Sequence, residues 1–207
     1  MLTQEHLATA AAVLGLTLTM SPLFAEDDAK TTTTKFDMVV SAGAKTCLPK
    51  ASGTVRITPV PDGDILDVAV EGLPPNADFD LFVLQVPKAP FGVAWYQGDI
   101  HTDKNGRGHS HFIGIFSIET FAVAVGSAPA PVVFNGPFPD ASLNPPFNPI
   151  QMYHLGLWFD SPQTALTAGC AGAVTPFNGE HNAGIQVLNT GSFPDDHGPL
   201  RVVKANP

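Results

Sequence analysis

The chain has 207 residues, 44% of them apolar and only 14% charged, well below the roughly 25% charged of an average soluble domain. Its 10 basic and 19 acidic residues give a formal net charge of −9, which makes nucleic acid an unsuitable partner. The apolar content excludes intrinsic disorder, and two cysteines beside 19 glycines and 20 prolines exclude a disulfide-dense miniprotein, a coiled coil and a collagen-like rod.

No residue from Leu7 to Ala25 is charged. Ser21 and Pro22 interrupt this run, and Ala25 closes it just before Glu26-Asp27-Asp28. The pattern predicts a secretory signal peptide over 1–25, although its front end lacks Lys and Arg and Leu23 is larger than usual at its place. Pro22 and the small-residue end argue against a membrane anchor, so no membrane span is expected after cleavage. No cysteine lies near the junction, which argues against a lipoprotein. Residues 26–35 read as a flexible polar leader and 36–207 as one domain. Export to the periplasm or the cell exterior permits disulfides, so Cys47 and Cys170 are predicted to pair. Neither lies in a CxxC pattern, which argues against a redox or zinc role.

After the leader most segments alternate with period 2. Thr54–Val60 is a predicted strand, followed by a turn at Pro61-Asp62-Gly63-Asp64 and a second strand carrying Leu66, Val68 and Val70. Leu73-Pro74-Pro75-Asn76 turns the chain again. Phe79–Val86 is apolar on both faces and reads as a central strand. Trp95–Thr102 and Arg107–Phe116 flank Asn105-Gly106 and predict a hairpin. Residues 121–125, 132–134, 152–159, 184–189 and 200–204 read as further strands. A short helix is predicted over 162–168, with Ser161 as N-cap, Pro162 at the first position and Gly169 as terminator. Residues 135–150 are too rich in Pro and Asn for regular structure and read as a long loop. Many short antiparallel strands predict an all-β fold, an antiparallel β-sandwich such as an immunoglobulin-like one, or an irregular barrel.

The stretches GLPPNADFDLFV (72–83), WYQGDI (95–100), YHLGLWFDSP (153–162) and FNGEHNAGIQVLNT (177–190) resemble a group of exported bacterial proteins without assigned activity. That resemblance implies an exported domain and adds no chemistry. More remotely, the order of a hairpin, a "GL-P" turn, a central strand and the 98–108 segment resembles the sandwich of chordin-type (CHRD) domains and Cu,Zn superoxide dismutase. The dismutase pattern puts alternating histidines on its central strand. Residues 78–83 here hold none, so this resemblance implies fold and not dismutase chemistry.

His109 and His111, at i and i+2 of a strand, put both rings on one face and are the candidate ligands for Zn or Cu. With a two- or four-residue turn at Asn105-Gly106 His101 falls on the opposite face, and only a three-residue bulged turn brings it over, while His154 and His181 come from distant segments that could converge. Ser110 lies in Gly108-His109-Ser110-His111, but Phe112 stands where a nucleophile elbow needs glycine. Asp99, Asp103, Glu119, Asp140, Asp160 and Glu180 stand apart, with Asp195-Asp196 adjacent, and no spacing encodes a glycosidase pair. Asp103-Lys104-Asn105-Gly106 has too few oxygen ligands for an EF-hand loop and reads as a turn. Trp95, Tyr96 and Trp158 could stack on sugar rings. Trp95 and Tyr96 are neighbours on a strand, so one of them should face out, and at least one Trp should be core. The loop holding Asn178, Glu180, His181 and Asn182 is the candidate recognition loop. Three functions remain: an exported non-enzymatic protein binding an extracellular ligand such as carbohydrate or a cell-surface component, a metalloprotein using His109 and His111, and a hydrolase of polysaccharide or cell wall. The absence of a catalytic motif favours the first, without a cofactor.

Overall fold

Alternating β-branched and polar residues build the first ladder of the computed structural model, which describes residues 32–123, 149–177 and 181–205. The predicted signal peptide, residues 26–31 of the leader, the strand at 132–134 and residues 135–148 of the loop lie outside these. β1 (Thr34–Val40) starts within the segment expected to be leader. β2 (Ser52–Val60) and β3 (Gly63–Glu71) form the first predicted hairpin, with Val60 opposite Gly63 and Asp62 at φ 67° in the turn. Val55, Ile57, Leu66 and Val68 have no exposure, while Thr54, Arg56 and Asp67 alternate with them on the outer side. β4 (Asp78–Leu84), read as a central strand, is an interior strand second from one edge of the sheet, buried on both faces except at Asp78 and Phe82. β5 (Ala94–His101), β6 (Gly108–Gly114), β7 (Phe121–Val123), β8 (Pro149–Gln151) and β9 (His154–Phe159) follow. α1 (Pro162–Thr167), β10 (Thr175–Pro176), β11 (Asn182–Ala183) and β12 (Gln186–Asn189) complete the elements.

Eight strands form one sheet in the order β5-β4-β9-β12-β1-β2-β3-β6, every pair antiparallel. The fold is all-β, as expected. β1 pairs with β2 through Thr34–Met38 and with β12 through Val39 and Val40, so the sheet turns over at this strand. Its two halves enclose one core, to which Ile57, Leu66 and Val68 come from one side and Phe79, Leu81, Leu157 and Leu188 from the other. The free edges, β5 and β6, meet at an isolated bridge from Thr102 to Gly108. The Ser110 hydroxyl donates to the Asp99 carbonyl across the same seam at 2.8 Å.

The second predicted hairpin forms at its turn, where the Asp103 N–H donates to the Arg107 carbonyl and Thr102 bridges Gly108, but its arms do not ladder with one another beyond that point. β5 ladders with β4 and β6 with β3, so the Asn105-Gly106 turn carries the chain from one half of the sheet to the other. Its chemistry serves docking. Gly106 takes φ 71° with its α-carbon face against the preceding turn, where a Cβ would lie 2.0 Å from the Leu73 carbonyl oxygen. The Leu73 N–H donates to the Gly106 carbonyl. Thr102 donates to the Pro74 carbonyl at 2.7 Å and accepts from the Ala77 N–H at 3.0 Å. Residues 200–204 are also not a strand. Pro199–Val202 winds as a 3-10 turn in which Arg201 donates to Gly198 and Val203 to Leu200, with Leu200 anchored in the core.

The helix caps are as predicted. Ser161 Oγ accepts from the Thr164 N–H, Pro162 opens the helix, and Gly169 follows it at φ 76°. Gly169 donates to the Leu166 carbonyl and Cys170 to that of Ala165, the paired bonds of a Schellman terminus. That terminus presents Cys170 to Cys47. The predicted disulfide is formed, with Cα atoms 5.2 Å apart across a sequence separation of 123.

Candidate ligand-binding face

β4 sends Phe79, Leu81 and Val83 into the main core, which leaves Asp80, Phe82 and Leu84 on its outer side. A second small core covers part of that side. Leu84, Trp158 and Ala183 are buried there, with Phe82, Phe91 and Phe177 packed on them. Trp158 meets Phe82 and Phe91 edge-on, with ring centroids 5.1 and 5.0 Å apart. Phe177 meets Phe82 at 5.5 Å and Tyr96 at 4.9 Å, and His181 packs on Phe177 at 4.7 Å. The recognition loop therefore leaves its flanking residues against Tyr96, although Asn178 and Glu180 lie outside the described residues. Asn182 is exposed on β11, opposite Pro176. Of the aromatic residues singled out by sequence, Trp158 is core, Trp95 packs partly buried against the main core, and Tyr96 faces out with 43% exposure.

Beside the rings stands a group of carboxyls that sequence reasoning did not assemble. Asp80 on β4 is directly opposite Asp99 on β5. Asp80 is 2% exposed. Burial, contact with Asp99 and the charges of Asp99, Asp160 and Asp78 push its carboxyl up to about 7. The Tyr96 hydroxyl donates to Asp99 Oδ1 at 2.7 Å. Burial, then Asp99 and Asp80, pushes that phenol's pKa well up. Asp80 Oδ2 and Asp160 Oδ1 are buried without a hydrogen-bond partner. A sequence signal existed: Asp80 is an acid in the middle of an otherwise apolar run on a strand read as buried on both faces.

The histidines are dispersed. His109 and His111 do share the outer face of β6, and both turn to Asp67 Oδ1 of β3, His111 Nδ1 at 3.0 Å and His109 Nε2 at 3.6 Å. His101 contacts Asp78 Oδ1 at 2.7 Å, across a β4–β5 ladder and not across a hairpin with β6. His154 is fully buried, held by Thr190 Oγ1 and the Asp195 carbonyl, and burial drives its pKa down. Among the described residues, no three or more His, Cys, Asp or Glu side chains are arranged to hold a metal ion. Asp103 Oδ1 accepts from the Asn105 and Arg107 N–H groups, which lowers its pKa and makes the segment a side-chain-stabilised turn. Ser110 spends its hydroxyl on the seam. A groove of about 520 Å³ between the Leu73–Asn76 turn and α1 is lined by Leu48, Leu73, Pro74, Gln163, Thr164 and Thr167 among others, none of them titratable.

Comparison of the sequence with protein-family models and with curated proteins finds no match. Among the described residues no helix is long and apolar enough to cross a membrane.

Proposed function

We propose that the chain is an exported, non-enzymatic binding domain whose ligand is a polyhydroxylated, carbohydrate-class component outside the cell, taken up on the face around Tyr96. The observation that carries this reading is the Tyr96 ring: it is 43% exposed, its hydroxyl is fixed by Asp99, and its side is braced by Phe177. A braced, half-exposed aromatic ring beside carboxylate acceptors is suited to stacking on a sugar and bonding its hydroxyls. The uncharged run from Leu7 to Ala25 and the disulfide support export. A binding role is favoured over hydrolysis because Asp80 is closed from solvent beside its ladder neighbour Asp99, whereas glycosidase carboxyls face the scissile bond across an open cleft.

The test is a screen of the oxidised, purified protein on immobilised glycans. A binder is expected, and Tyr96→Ala should lower its affinity about tenfold, the equivalent of about 1.4 kcal/mol, measured well below the variant's own melting temperature. A blank screen, or equal affinity for the variant, overturns the proposal.

A further inference from the structure

Two carboxyls set opposite one another on neighbouring strands, with one closed from solvent, cannot both be ionised without a large repulsion. Asp80 and Asp99 are such a pair. The groups around them sharpen the conflict. On its own strand Asp80 has Asp78 beside it, Asp160 stands just past the end of β9, and both add negative charge. Facing from β5 are Tyr96, which donates to Asp99, and His101, which is engaged with Asp78. His181 packs on Phe177 at the far side of Tyr96.

We propose that Asp80 and Asp99 hold one proton between them, and that this proton makes the cohesion of the Tyr96 face depend on pH. The roles within the pair follow from its partners. Asp99 already accepts from the Tyr96 hydroxyl at 2.7 Å, so it is the acceptor of the pair. Asp80 is buried and is pushed up to about 7, so it carries the proton and donates it to Asp99. In the unfolded chain Asp80 returns to the ordinary aspartate value of about 3.9. The folded state therefore binds more protons between the two values, and stability falls as pH rises from about 4 to about 7. Above that window a second negative charge faces Asp99, loosening the β4–β5 contact that carries Tyr96. On the binding reading above, ligand affinity falls over the same window.

Carbon-13 NMR of the side-chain carboxyls tests the proton directly in the wild-type protein: Asp80 should titrate near 7, and titration below about 5 overturns the proposal. Asp80→Asn puts a permanent N–H donor where the proton sits. The melting temperature of wild type relative to this variant should drop steadily from about pH 4 to about pH 8, and Asp99→Asn should flatten the same dependence. Parallel curves overturn the proposal. Millimolar calcium is a further arm. If it restores the wild-type melting temperature at pH 8, and does so only while Asp80 is present, the cluster takes a cation and not a shared proton. These readouts need no ligand, so a failed glycan screen with a normal titration rejects the binding reading alone.

Discussion

Thr102 has no solvent exposure, and its hydroxyl ties two turns together by donating to the Pro74 carbonyl and accepting from the Ala77 N–H. Thr102→Val keeps the shape and removes both bonds, stranding a donor and an acceptor away from water. The expected loss is about 2–3 kcal/mol in urea denaturation, and Thr102→Ser should recover most of it. A change under about 0.5 kcal/mol would mean that the turns hold without it. At this scale the sequence was informative about identity and weak about company. His109 and His111 on one face, an outward place for one of Trp95 and Tyr96, and the Cys47–Cys170 bridge were all legible, since each follows from strand parity or compartment, but which of the two aromatics faces out was not. The partners were not. Asp67 beside the histidines and Asp99 against Asp80 come from separate strands, and only the register of β3 with β6 and of β4 with β5 brings them together.

Among the elements, the turns separate two uses of glycine. Gly106 has φ 71° and the Leu73 oxygen against it, whereas Gly169, at φ 76°, has nothing within 4 Å of where a Cβ would sit. Gly169→Ala should therefore cost only the left-handed backbone penalty, about 1 kcal/mol. Gly106→Ala meets that penalty and a collision with backbone, and roughly 3 kcal/mol or more is expected. Equal losses in chemical denaturation would contradict the packing described for the 103–106 turn. The helix was readable in full because its start and stop are encoded locally, in Ser161, Pro162 and Gly169. The segment 95–116 was misread for the opposite reason. Asn-Gly specifies a tight reversal, but which strand each arm joins is decided by the apolar faces of β3 and β4, distant in sequence. Leu200 misled in a simpler way: an apolar run near the end of the chain supplies a core anchor without needing a ladder partner.

Over the whole molecule the disulfide is the main covalent restraint, joining residues 123 apart. On the chain-entropy model a loop of that length is worth about 5 kcal/mol. Replacing both cysteines by serine should lower the melting temperature by on the order of 10–20 °C, measured by calorimetry, and reduction of the wild type should have the same effect. A drop of only a few degrees would show that the unfolded chain is already restrained in this region. The all-β class was legible in the spacing of short strands and turns, and the predicted hairpin put β5 beside β6, whereas the laddering of each with a different half of the sheet was not legible, because it depends on β3 and β4. The strand β1 carries a last consequence. It completes its ladder only when residues near Leu188, from the far end of the chain, arrive beside it. A polypeptide that becomes available N-terminus first therefore cannot close this sheet until Leu188 and Asn189 are free to pair with Val40 and Val39.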